Sequence, residues 1–425
     1  MMRAGTGTQI INPPLGVSLG GYFYERPCSG ICDDLLAKSI VLDDGSTKVS
    51  ITVCDLQAVE AEEVRRAREI ASRAVGIPPD NIMISATHTH TGPQVRRGRV
   101  VPVSEEYLSK LPEMIASSII QAYDNLQPVI LRLGEEYEDR IAFNRRYRMK
   151  DGSVRFNPPK QDPNILGPDG PIDPQVNVLR IDGEDGMPTA ILVNYALHPD
   201  VMGGCEASAD FPGEMARIVS SVYESKPLVV FMQGACGNIN HRDVSKPDSQ
   251  TGRGEVKRIA RVLAGKVLAA SELSKPMDGI LGVRKSILKI PYHPLTKALR
   301  EKASAVLSNP SADSFDKAQA KAIENYSLDG KLADVEVQAI RIAETAVVGI
   351  PGELFVEYGL SIKEWSPFRQ TFVVELANNT FGYIPTQDAF YPGTYETMPI
   401  VSAMLEPPAG VKIANAAGEL LKTLA

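Results

Sequence analysis

The stretch Asn81-Ile82-Met83-Ile84-Ser85-Ala86-Thr87-His88-Thr89-His90-Thr91-Gly92-Pro93 sets the reading of this chain. Its first six residues have the apolar, β-branched character of a buried strand. Its last seven are small, polar and punctuated by Gly and Pro, which is how a strand gives way to a loop. The same change recurs four more times. A candidate strand at 189–195 runs into Leu197-His198-Pro199-Asp200, and one at 228–232 runs into Gln233-Gly234-Ala235-Cys236-Gly237-Asn238-Ile239-Asn240. A strand at 346–350 leads to Pro351-Gly352-Glu353, and one at 371–376 leads to Ala377-Asn378-Asn379-Thr380-Phe381-Gly382-Tyr383. Ligands of open α/β sheets bind beyond the carboxyl ends of the strands, so five such endings predict one shared site.

Working outward, further strands are expected at 48–54, 129–133, 176–181, 280–290 and 335–342. Helical periodicity marks 60–75, 105–125, 212–224, 255–273, 354–365 and a tail at 411–424. The alternation predicts an α/β (α+β) fold, with a mixed β-sheet core flanked by helices. The Ala-, Lys- and Leu-rich run at 293–330 reads as a helical insertion within a single domain spanning 1–425. The segment 151–174, dense in Pro, Gly and Asp, reads as a long loop of the kind that shapes specificity.

Composition narrows the function. A net charge of −7 argues against a nucleic-acid partner and leaves no basic face for anionic lipid. Five cysteines, an odd number in 425 residues, do not make a disulfide framework. The first eight residues have no apolar signal region, and no run nears the roughly 18 residues of a membrane span. The expectation is a cytoplasmic protein, without a membrane anchor, acting on a small-molecule substrate.

Only five histidines occur, and three of them, His88, His90 and His198, sit at these strand ends. Neutral imidazole is the commonest protein ligand for zinc. On an extended chain His88 and His90 would share one face. Glu353 has the bland alternative of a helix-start carboxylate, and Tyr383 that of a turn residue. Residue type and position leave both readings open.

Taken in order, Ala86–Pro93, His198-Pro199 with Ser208-Ala209-Asp210-Phe211-Pro212-Gly213, the stretch 233–238, Pro351-Gly352-Glu353 and Asn378-Asn379 through Tyr383 resemble the signature blocks of the neutral, non-lysosomal ceramidases. The resemblance spans nearly the whole chain and corresponds to that family's catalytic domain without its C-terminal β-sandwich. It implies one divalent metal ion, Zn2+, held by His88, His198, Glu353 and Tyr383, and a metal-activated water attacking an amide (N-acyl) bond. It makes His90 an oxyanion donor or acid/base group, and Arg145 a substrate contact. Asp55, Asp200 and Asp210 are candidate partners for the outer ring nitrogens of the histidines.

Two departures bear on substrate. Asn240 stands where ceramidases carry a serine needed for activity, which makes Asn240 a candidate catalytic residue of altered chemistry, and Asn238 replaces an aspartate. No amphipathic membrane-binding stretch accompanies the site, so the expected substrate is not ceramide itself. Competing readings are a metal hydrolase of an ester or glycosidic bond, and a ligand-binding protein without catalysis. A cysteine hydrolase built on Cys236 with His241 is a further rival, and Cys28 and Cys32 read as structural.

Overall fold

The computed structural model describes residues 1–391 and 393–425, with Ser314 and Phe315 described by backbone only. Eight of the nine strands of the larger sheet are β1 (Arg3–Ile10), β2 (Leu36–Asp43), β3 (Lys48–Cys54), β4 (Ile82–Ala86), β5 (Gln127–Tyr137), β6 (Gln175–Gly183), β7 (Pro188–Tyr195) and β8 (Leu228–Gln233). They lie in the order β8-β7-β6-β5-β1-β2-β3-β4, and the short strand Lys275–Met277 pairs beside β5. Neighbours are antiparallel except at the two ends, where β3–β4 and β7–β8 are parallel. A second sheet holds β9 (Leu281–Pro291), β10 (Leu332–Ile342), β11 (Thr345–Gly349) and β12 (Gln370–Val374), with β11–β12 parallel.

Side-chain alternation explains the stacking of layers. On one face of the large sheet Ile40, Leu42, Ile51, Val53, Leu179, Ile181, Leu192 and Val230 meet Ile340, Ile342, Val347 and Phe372 of the second sheet in one buried cluster. The opposite face is covered by helices: α1 (Ala61–Val75) and α2 (Glu105–Asp124) over one half, α3 (Asp210–Val222) and α4 (Arg253–Glu272) over the other. Helices α5 (Lys297–Ser308) and α6 (Ser314–Glu324) lie between β9 and β10 in the chain. Helices α7 (Val356–Trp365) and α8 (Ala409–Leu424) pack on the outer face of the second sheet. The result is a mixed α/β fold in which two sheets are sandwiched between helical layers. Each fully buried large apolar side chain contributes roughly 1.5–3 kcal/mol.

Three parallel pairs now explain why polar loops converge. The segments that follow β4, β7, β8, β11 and β12 are stitched together by main-chain hydrogen bonds. Gly234 N donates to Tyr195 O, Glu375 N to Gln233 O, Gly237 N to Leu354 O and Asn378 N to Ile84 O. Glu353 and Tyr383 face each other across a two-residue parallel pairing, Glu353–Leu354 with Tyr383–Ile384.

The ten expected strands and six expected helices are all found, with ends displaced by a few residues. Strands β1 and β2 escape the sequence reading, β1 for a steric reason. In β1 the side facing α2 carries Gly5 and Gly7, because the helix backbone lies directly on the strand. A Cβ on Gly5 would sit 2.0 Å from Ala122 O, and one on Gly7 2.1 Å from Ser118 O. Close approach by glycine erases the apolar alternation that marks a strand. The loop expected at 151–174 is partly ordered as sheet: Val154–Phe156 and Ile165–Pro168 both pair with Arg146–Met149. Among the described residues no helix is long and apolar enough to cross a membrane.

Gly7→Ala forces α2 away from β1 and is expected to lower stability by about 2–3 kcal/mol, within the overpacking range. A fall in the urea midpoint at unchanged m-value measures it.

Candidate metal centre

Each residue of the site is placed by a strand end. His88 follows β4, with its N–H bonded to Leu56 O beyond β3, and adopts φ 72°. That left-handed conformation is unfavourable for a non-glycine residue, so the extended geometry expected for 88–90 is not what brings the two imidazoles together. The reversal at His88 does: the His88 and His90 rings lie edge to face with centroids 4.9 Å apart. His198, after β7, completes a buried trio whose ligand nitrogens all lie within 4.8 Å of one another, an arrangement that could hold a metal ion.

The hydrogen bonds around the trio define its chemistry. His88 Nδ1 lies 2.7 Å from Gln57 O and His198 Nδ1 3.3 Å from Cys236 O. Carbonyl oxygens only accept, so His88 Nδ1 carries hydrogen; His198 Nδ1 also has Cys236 Sγ at 3.3 Å, and with hydrogen on both Nδ1 atoms both Nε2 atoms are acceptors. These two Nε2 atoms face each other at 2.9 Å. Glu353 Oε2 stands 3.4 Å from one and 4.0 Å from the other, buried and without a well-directed hydrogen bond. Two imidazole nitrogens and a carboxylate aimed at one point are relieved by a cation or by a shared proton there. The residues present therefore fit a divalent metal.

Electrostatics carry the same message. Burial disfavours a charged His88, yet Glu353 outweighs it and raises the imidazole above its ordinary value. Burial also opposes ionisation of Glu353, but His88, with help from Arg96 and Tyr383, holds its carboxyl down at about 2. His198, buried and beside His88, is pushed well below the imidazole range. The Tyr383 phenol, raised by burial, is within hydrogen-bonding reach of Glu353, Arg145 and Tyr395.

His90 differs from its neighbours. Both of its ring nitrogens are buried and lack a hydrogen-bond partner, and burial lowers its pKa to about 4. Its Nδ1 lies 3.5 Å from Asp200 Oδ1, and the Tyr22 hydroxyl donates to the same oxygen. The ring packs against Gly21 at φ 96°, where a Cβ would lie 2.6 Å from His90 Cγ. Arg145 is buried between Glu396, to which Nε donates at 2.9 Å, and the rings of Phe156 and Tyr383.

Two cavities meet at this cluster. The larger, about 350 Å³, has Tyr22, Phe23, Phe156, Tyr383 and Tyr395 among its aromatic walls, with His90, His198 and Arg145. The smaller, about 90 Å³, runs from His90, Glu353 and Tyr383 towards Arg96 and Arg99. Of the expected specificity loop, Phe156 and Asn157 reach the larger cavity.

Several expectations are corrected. Asn240 lines neither cavity; its amide donates to Oδ1 of Asn157, which does line the larger one, and accepts from Arg242 N. Asp55 pairs with Lys38 at 3.0 Å, and Asp210 accepts from the backbone of Val201, Met202 and Phe211, so neither orients an imidazole. Backbone carbonyls take that role. Cys236 is buried, its thiol donates to Glu375 Oε1 and its pKa is raised well above the ordinary value, first by burial and then by Glu375. His241 bonds to Gln250 O instead. A buried protonated thiol is a poor nucleophile, and the cysteine-hydrolase rival loses its support. The sequence reading missed Tyr22, Tyr395, Gln57 and the Arg96–Arg99 wall; among these only the Gly20-Gly21-Tyr22-Phe23 run carries a local signal, a glycine pair against aromatics.

The class so defined is a two-sheet α/β sandwich with a buried histidine cluster suited to a metal ion at the carboxyl edge of its parallel strands. The fold is that of neutral ceramidase. The whole chain superposes on 74% of neutral ceramidase from Pseudomonas aeruginosa at TM-score 0.77 and 20% identity. It also covers 75% of a ceramidase complexed with C2, at TM-score 0.79 and 17% identity. No family model matches the sequence.

Asp210 ties the loop after His198 to the start of α3, and burial raises its carboxyl to about 6 from 3.8. Between these values the folded state holds a proton that the unfolded state has lost, so stability falls as pH rises through the window. The stability of the protein relative to Asp210→Asn is expected to drop between pH 4 and 6 and stay flat above, as read from urea titrations at each pH.

Proposed function

We propose that the chain is a metal-dependent hydrolase of small amides. Its single divalent ion, Zn2+, would be held by His88, His198, Glu353 and Tyr383. The observation that carries this reading is the opposition of two Nε2 acceptors at 2.9 Å beside an unsatisfied carboxylate oxygen. The neutral ceramidase fold supports an amide carbonyl as the point of attack. A divalent ion bound there supplies Lewis-acid polarisation of that carbonyl and a lowered pKa for water.

The protein's own groups would do the rest. His90 is neutral at physiological pH, and Asp200 faces its Nδ1. This leaves Nε2 of the neutral ring as an acceptor, able to take a proton from water and pass it to the leaving nitrogen. Tyr22 fixes Asp200, and so the tilt of the imidazole. Arg145 and the aromatic walls would orient the substrate in the larger cavity. A volume of about 350 Å³ lies at the low end of ligand pockets and favours a compact substrate.

A second reading of His90 rests on the mutual proximity of all three imidazoles, which also suits a third nitrogen ligand. Metal content separates the two. Elemental analysis is expected to give one divalent ion per chain, lost in His88→Ala and in His198→Ala. His90→Ala is expected to keep the ion while turnover of a short N-acyl substrate falls roughly a hundredfold; loss of the ion would make His90 a ligand. Adding Zn2+ to chelated protein at a hundred times its Kd should stabilise the fold by about 2.7 kcal/mol, seen as a rise in melting temperature that His198→Ala abolishes. Metal-loaded protein that cleaves no N-acyl or ester substrate would end the hydrolase reading.

A further inference from the structure

The smaller cavity has a feature that hydrolysis of an amide does not require. Arg96 and Arg99 both line it, on the segment that follows the histidine loop. The Arg96 guanidinium lies beside Gly382, next to Tyr383, since a Cβ on that glycine would be 3.7 Å from Arg96 Nη2.

Neither guanidinium has a carboxylate within 4.0 Å among the described residues, although acidic groups are close. Arg97 draws them instead: it pairs with Glu63 at 2.8 Å, Glu105 at 3.0 Å and Glu60 at 4.0 Å. Glu60 Oε2 also accepts from Arg97 N. Arg99 is left with Val401 O at 2.8 Å and the thioether sulfur of Met404 at 2.9 Å. Arg96 Nη2 is 3.9 Å from the same sulfur, and its buried Nε has no partner. A guanidinium offers five donors, and a thioether is a weak acceptor. Burial and the neighbouring Arg96 together lower Arg99 to about 9 against the pull of Glu60 and Glu353, neither of which reaches its guanidinium within 4.0 Å.

We propose that Arg96 and Arg99 form the recognition site for a carboxylate on the substrate. The substrate class is then an N-acyl amino acid, with the scissile amide at the histidine cluster, the acyl group in the aromatic cavity and the α-carboxylate in the arginine-lined arm. This inference rests on the amide reading of the same site and names its substrate. The arm suits such a group. At about 90 Å³ it is too small for a long chain, and a carboxylate accepts the paired hydrogen bonds that guanidinium groups are shaped to give. The opposite assignment is disfavoured on charge: in the larger cavity Arg145 is met by Glu396, whereas the arm sets two guanidinium groups against one carboxylate, Glu353, which the proposed ion would engage.

Isothermal titration separates binding from turnover. The probes are N-benzoylglycine and its neutral isostere N-benzoylglycinamide, titrated into chelated, metal-free protein and into the Zn2+-loaded protein. Hydrolysis of both is followed in parallel. The metal-free protein is expected to bind the carboxylate at least about tenfold more tightly than the amide, from charge-assisted hydrogen bonds. The preference should vanish in the Arg96→Gln/Arg99→Gln double variant and survive in part in Arg99→Lys, with melting temperatures showing that both variants fold. In the loaded enzyme the double variant should raise KM for N-benzoylglycine by a much larger factor than KM for N-benzoylglycinamide. Equal binding of the two probes, binding of neither, or a preference that persists in the double variant overturns the proposal. Carboxylate preference without cleavage of any amide would sink the hydrolase reading and leave the anion site standing. Amide cleavage without the preference would do the reverse.

Discussion

Two imidazoles whose Nε2 atoms lie 2.9 Å apart in a dry interior cannot both present lone pairs unless a cation or a proton lies between them. Each is prevented from turning away, because its other nitrogen is committed to a carbonyl of a neighbouring loop, Gln57 O for His88 and Cys236 O for His198. A positive charge between them relieves the repulsion, and Glu353 adds a negative charge at the same point. In a low-dielectric site such an arrangement is costly unless a cation or a proton is shared. The local strain at His88, φ 72°, belongs to the same logic, since a residue held in that conformation needs surroundings that over-determine it. Three further non-glycine residues have positive φ nearby: Asp210 at the start of α3, and Leu376 and Asn378 in the loop after β12.

Much of the site was legible because strand ends are legible. A β-branched run broken by Gly, Pro and small polar residues marks where a chain leaves a sheet, and β4, β7, β8, β11 and β12 all obey it. Grouping His88, His198, Glu353 and Tyr383 needed the family resemblance, because nothing local shows that Glu353 and Tyr383 pair across adjacent short strands. Convergence is set by three parallel pairs in two sheets, which is tertiary information.

What stayed hidden has physical causes. Strand β1 hides because Gly5 and Gly7 give the helix backbone room where apolar side chains would otherwise advertise a strand. Imidazole orientation hides because it depends on backbone carbonyls, present at every residue, so a search for acidic partners picks Asp55 and Asp210, which prove to serve Lys38 and a loop. The role of Asn240 hides because the substitution of a serine tells what is missing and not where the replacement points; its amide turns to Asn157.

The scaffold also bears on how a metal centre at this cluster would come to exist. Small zinc modules fold only when the ion binds, because their ligands have no other reason to gather. Here the ligand-bearing loops are tied to one another by main-chain bonds between five strand ends, over a core shared by both sheets. Gathering is therefore the work of the fold. The ion would relieve an electrostatic conflict in a framework already assembled, which keeps the imidazoles and carboxylate at fixed distances before any substrate arrives. Preorganisation of this kind is what lets polar groups act on a reacting carbonyl without rearranging during the reaction.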